Sequence, residues 1–209
     1  VKRIVLPREM SIDEINSINI DIEKEVFIHG ALCISYSGNC LMSSMLGGRS
    51  GNRGECVGSC RLKYSLEKDG KIIEKNKYLL STKEFNTSHQ FKELLDSNID
   101  SFKIEGRMKS PEYVGFITSF YRKIIDGENF DLKEEEEKLK VLFNRRFTTG
   151  NLFKSKDIMN IESPNHIGIK IGKVIKVDSK YITVKLDKEL NQEDGIRFME
   201  SNKGFIANY

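Results

Sequence analysis

EVFIHGALCISYSGNC, Glu25 to Cys40, joins two kinds of sequence end to end. Its first half is an apolar, β-branched run that reads as a buried strand. Its second half is a loop of small residues that carries Cys33 and Cys40. Two further cysteines follow in GECVGSC, Cys56 and Cys60, so all four cysteines of the chain lie between positions 33 and 60. Thiols gathered this closely either bond to one another or bind something, and the strand before them says where on a fold they would sit.

The chain has 209 residues, of which 31% are charged and 38% hydrophobic, an ordinary soluble balance. That length allows one large domain or two small ones, each with a core. No apolar run approaches the roughly 18 residues of a membrane span. The opening VKRIVLPREM has no signal-peptide core, which points to a cytoplasmic protein. It also lacks an initiator Met and starts almost inside a strand, so the chain reads as processed or truncated. A formal charge of +3 does not by itself imply a polyanion partner. Locally, Arg49, Arg53, Arg61 and Lys63 face only Glu55, a basic loop around the later cysteine pair. A solvated loop and a phosphate-facing loop both fit that charge pattern.

Outward from Glu25–Cys40 the first 130 or so residues repeat one rhythm: apolar run, polar loop, helical pattern. RIVL is the first strand, and Ser11 with Glu14 forms a capping box for a helix IDEINSI. RLKYSLEKDGKIIEKN reads as a hairpin turning at Asp69-Gly70. KYLLS is expected as the third strand, followed by a helix from about Lys83 to Ser97. IDSFKIEG is the fourth, and Ser110-Pro111 opens the helix PEYVGFITSFYRKIIDG, which Gly127 closes. Alternating strands and helices predict an α/β fold with a parallel sheet. DLKEEEEKLKVLF reads as a surface helix with Leu139, Leu142 and Phe143 inward. From SPNHIG onward the texture becomes short alternating runs, ending in GIRFME and KGFIANY, and predicts a small β-domain. The expected division is residues 1–160 and 164–209.

Parallel α/β folds gather function at the carboxyl ends of their strands. Those ends deliver Arg8 and Glu9; His29, Cys33 and Cys40; Ser81 to Glu84; and Lys103, Glu105, Arg107 and Lys109. The spacing C-x6-C-x15-C-x3-C fits zinc knuckles poorly, and structural disulfides fit neither the size nor the absence of an export signal. Four thiolates in a glycine-rich loop suit an iron–sulfur cluster; zinc and unliganded thiols stay open. Lys103, Arg107 and Lys109 ahead of a helix form a candidate anion site, with Glu105 either part of it or a plain ion-pair partner. His29 on an apolar strand reads first as a core histidine, and second as a base for a Cys33 nucleophile.

Several blocks carry a resemblance. Glu25, Phe27, Gly30, Ala31, Cys33, Gly38, Cys40 and Ser43 match the signature of peptidase family U32, the collagenase-like proteases. GGRSGNRGECVGSCR, SFKIEGRMKSPEYV and FNRRFTTG resemble later blocks of that family in the right order. The resemblance implies a TIM-like barrel followed by a small β-barrel, with this chain beginning near the barrel's midpoint. The family name records proteolysis, whereas other branches resemble factors for prephenate-dependent hydroxylation of a tRNA uridine or an rRNA cytidine. Related proteins hydroxylate ubiquinone precursors without dioxygen. In those branches four cysteines hold a [4Fe–4S] cluster, which here implies Cys33, Cys40, Cys56 and Cys60. VLPREMS and the C-terminal segment look most like the tRNA-hydroxylating branch. Implied partners are tRNA or other RNA, a dicarboxylate such as prephenate, and a possible partner subunit. Arg53, Lys103, Glu105, Arg107 and Lys109 are the candidates around the substrate or anion, with Arg8, Glu9, Glu25 and His29 as further rim positions. A peptidase, and a non-catalytic RNA- or partner-binding piece, are the competing readings.

Overall fold

The computed structural model describes residues 1–107, 109–199 and 204–206. The chain divides into two compact units, Val1–Gly168 and Ile169–Tyr209.

The first unit is mixed α/β. In chain order it contains β1 (Arg3–Val5), α1 (Ile12–Asn16), β2 (Glu23–Ala31), α2 (Met42–Gly47), β3 (Tyr64–Lys68), β4 (Lys71–Lys77), β5 (Glu84–Asn86) and α3 (Phe91–Leu95). β6 (Ser101–Glu105), α4 (Pro111–Asp126), α5 (Leu132–Leu142) and β7 (Phe147–Thr148) complete it. β2 is the axis of a five-stranded sheet. β1 runs parallel to its first third, β6 runs parallel to it from Glu25 to Gly30, and β5 pairs with its last three residues. β7 then lies parallel to β5.

Local signals made the helices. Ser11 accepts the Glu14 amide while the Glu14 carboxylate takes the Ser11 amide, the reciprocal pair of a capping box. Ser110 caps α4, Pro111 sets its first turn, and Gly127 at φ +67° ends it. α4 packs Tyr113, Ile117, Phe120 and Tyr121 into a core shared with Val26 and Ile28 of β2, Ile15 of α1 and Leu139 of α5. α5 buries Leu139, but Leu142 is 37% exposed, so the helix turns one apolar position fewer inward than its pattern suggests.

The expected all-parallel sheet is corrected at its third strand. KYLLS forms a turn, with the Ser81 amide on the Tyr78 carbonyl, and the strand lies at Glu84–Asn86. That strand runs antiparallel to β2, and the expected helix from Lys83 shrinks to a 3-10 turn, Ser88–Gln90, and α3. The physical reason is burial. Glu84, Phe85 and Asn86 are closed in on both edges by β2 and β7, and satisfying those backbone groups outweighs a modest helical preference.

The hairpin β3–β4 turns at Asp69-Gly70, both left-handed at φ +51° and +72°, as the sequence requires of a tight hairpin turn. Every residue of β4 is exposed. In the second unit β8 (Gly172–Val177) pairs antiparallel with β9 (Ile182–Leu186), and β10 (Gly195–Arg197) with β11 (Gly204–Ile206). The expected strand KGFIANY lies outside the described residues except for Gly204–Ile206. Among the described residues no helix is long and apolar enough to cross a membrane.

Gly30 holds the tightest point of the sheet. Its φ is +113°, and a Cβ there would stand 2.3 Å from the Glu105 carbonyl oxygen. Gly30→Ala should therefore break the β2–β6 pairing and cost about 3 kcal/mol or more, read as a lower urea midpoint.

Candidate metal centre

β2 ends at Ala31, and the chain enters the cysteine loop directly: Cys33 follows, Cys40 precedes α2, and Cys56 and Cys60 lie between α2 and the hairpin. Two contacts close this loop on itself, and one side chain ties it to the strand ends. The Ser43 hydroxyl accepts the Val57 amide at 3.2 Å, joining the Cys40 side to the Cys56 side. Asn52 donates to the Gly38 carbonyl at 2.6 Å. Arg61, next to Cys60, donates to the Leu32 carbonyl at 3.1 Å, to the Thr82 carbonyl at 2.5 Å, and to the Ser81 and Thr82 hydroxyls at 2.8 Å each. Because Leu32 precedes Cys33, one guanidinium ties the first and last cysteines to the same edge.

All four thiols are free; Cys40 and Cys60 are half-buried and Cys33 and Cys56 exposed. Burial pushes the Cys60 thiol up, Arg61 opposes that, and the nearby Cys33, Cys56 and Cys40 add to it. The Gly58 amide donates to the Cys56 sulfur at 3.4 Å, and Gly54 and Gly58 are left-handed at φ +96° and +69°. A soft four-sulfur donor set of this kind fits an iron–sulfur cluster or zinc. Among the described residues no three His, Cys, Asp or Glu side chains stand as a formed coordination sphere.

The remaining sequence candidates fall into separate groups. Glu9 clamps the loop, accepting the Ser37 amide at 2.6 Å and its hydroxyl at 3.0 Å. Arg8 donates to the Ala31 carbonyl at 3.1 Å and lies over the Phe27 ring. Arg107 donates to the Gly54 carbonyl at 3.0 Å, and its own amide donates to the Glu105 carboxylate, so both residues border the loop. Arg53 ends an exposed turn on the same loop. Glu25 and Lys103 stand apart, paired at 3.2 Å with Lys103 over Phe27 on a half-buried face of the sheet. Lys109 turns inward to Glu84. His29 is buried, with Nδ1 3.0 Å from the Tyr121 hydroxyl.

Sequence reasoning assigned no role to Arg61 beyond the basic loop, and none to Arg145, whose guanidinium lies 3.0 Å from the buried Glu84 carboxylate. The available signals were an arginine directly after a cysteine, and the paired arginines of FNRRF.

The model of peptidase family U32 matches residues 1–162, and the chain belongs to that family. It is 37% identical to the 23S rRNA 5-hydroxycytidine C2501 synthase of Escherichia coli, over 99% of this chain and 34% of that protein. It is 42% identical to tRNA hydroxylation protein P1 of Bacillus subtilis over 64% of this chain and 35% of that protein, and 32% identical to a collagenase of Porphyromonas gingivalis over 70% and 41%. The chain spans about a third to a half of the length of the curated relatives it matches. No solved structure gives a significant match.

Two outcomes follow from these contacts. Arg61→Met should leave the Thr82 carbonyl without its partner, unclasp Ser81 and the Leu32 carbonyl, and cost about 2 kcal/mol or more in a urea melt, with Arg61→Lys recovering little because one ammonium cannot fork to four acceptors. Burial, and then the nearby Lys109, hold the His29 ring neutral, with its pKa lowered to about 3. The unfolded chain takes up that proton near pH 6.5, so stability should fall as pH drops from 6.5 toward 3, by up to about 1.4 kcal/mol per unit. His29→Gln should flatten that slope in urea melts between pH 7 and 5.

Proposed function

We propose that this chain is the metal-binding half of an RNA-hydroxylating U32 protein, in which Cys33, Cys40, Cys56 and Cys60 hold a [4Fe–4S] cluster. The observation that carries this reading is that all four free thiols lie on one loop, which Arg61 locks to the strand ends. Relatives named for hydroxylation of tRNA and rRNA supply the substrate class. On this reading the sheet of the first unit is part of a TIM-like barrel, with α1 and α4 on its outer side and Glu25, Phe27 and Lys103 toward the lumen, and the second unit is a small β-barrel. The free thiols suit a reducing compartment such as the cytoplasm.

When bound, such a cluster supplies one-electron chemistry. The protein's part is to orient and neutralise. Arg53 and Arg107 border the cysteine loop and suit the phosphates of tRNA or other RNA, or the carboxylates of a small dicarboxylate such as prephenate. Peptide hydrolysis finds less support: His29, the local base for Cys33, is committed to Tyr121 inside the core.

The test is iron and acid-labile sulfide per chain on protein purified without oxygen, beside a Cys56→Ala variant. About four of each, with a broad absorption near 400 nm that the variant loses, is the expected result. One zinc per chain would move the site to the alternative metal. Metal-free protein with four titratable thiols would overturn the reading.

A further inference from the structure

Behind the cysteine loop the first unit buries a group of charges that the cluster reading does not by itself explain. Glu84 is sealed from solvent. Its Oε1 takes both Lys109 at 3.1 Å and Arg145 at 3.0 Å, while its Oε2 has no hydrogen-bond partner. The Arg145 side chain is only 9% exposed and that of Lys109 13%, and the Arg145 Nε is also without a partner. Arg61, Lys109, Arg145 and Glu84 all act on one another electrostatically. One carboxylate thus stands among three cations, Arg145 buried and Lys109 and Arg61 half-buried. Of the neighbours, His29 is neutral, Lys83 pairs with Asp157, and Glu105 at the loop border adds one negative charge, which still leaves the cations in excess.

A buried positive surplus costs several kcal/mol unless a negative charge faces it. Arg61 follows Cys60 directly in the chain, and its guanidinium holds the carbonyl of Leu32, the residue before Cys33. Four thiolates on an iron–sulfur core leave a net negative charge, and the charge around such a core sets its potential.

We propose that Glu84, Lys109 and Arg145 form a buried countercharge that, through Arg61, sets the reduction potential of the cluster on Cys33, Cys40, Cys56 and Cys60. This rests on the cluster reading above. A cation here favours the more negative, reduced state and raises the potential; the carboxylate does the reverse.

The experiment is a dithionite titration of the anaerobically loaded full chain, followed by electron paramagnetic resonance. Lys109→Met should shift the midpoint to more negative values and Glu84→Gln to more positive ones. Lys109→Arg and the double Glu84→Gln/Lys109→Met variant should stay near the parent. Shifts of the same sign in the two single variants, or no shift at unchanged iron and sulfide content, would overturn the inference and leave the cluster in place. A parent chain that takes up no iron would remove the cluster reading, and this inference with it. Should Lys109→Met fail to fold, Glu84→Gln against the charge-balanced double variant reads the same sign.

Discussion

One guanidinium decides where the chemistry of this fold sits. Arg61 leaves the cysteine loop and enters the sheet edge, where it donates to two backbone carbonyls and two hydroxyls, among them the otherwise unpaired Thr82 carbonyl. Its fork matches that acceptor pattern as an ammonium could not. The cysteine loop, exposed at Cys33 and Cys56, also leaves Tyr36, Leu41, Met45 and Leu46 exposed, so apolar burial does little to hold it down. The clasp supplies from the sheet the order that the loop lacks.

The same edge explains why β5 is short and reversed. Glu84 must be delivered to the interior between Lys109, which follows β6, and Arg145, which precedes β7. Pairing of the Glu84 amide with the Arg146 carbonyl sets the distance along the chain to Arg145. An ion pair so deeply buried is poor evidence of stability, because desolvating its members costs about as much as their attraction returns. Its value lies in fixing charge at a defined place.

Legibility followed range. α4 could be read in full because its stop and start signals, Ser110, Pro111 and Gly127, are local. So could the hairpin, since Asp69-Gly70 demands one turn type. The cysteine loop was legible as a group of ligand-type residues, because thiols are few and their spacing is printed in the chain. β5 was not, since nothing within Glu84–Asn86 announces an antiparallel partner that ends at Ala31. Nor was the inward turn of Lys109: a lysine just before a helix reads as solvent-facing until Glu84 and Arg145 are found behind it. Leu142 erred the other way, because periodicity gives a helix face but not its width.

β2 also fixes the order in which this protein can assemble. Its partners are distant in the chain: the Lys24 amide meets Asp100, 76 residues on, and the Leu32 carbonyl meets Thr82, 50 residues on. Closing such long loops costs entropy before any contact repays it, so folding is slow relative to helical proteins of this size. The capped helices and the hairpin form early from local signals, whereas the edge that receives Arg61 exists only after the sheet has closed. The cysteine loop is therefore the last part of the unit to become ordered. A nascent chain holds four unburied thiols throughout that interval, and its yield of usable protein depends on keeping them from oxidation until the sheet is complete.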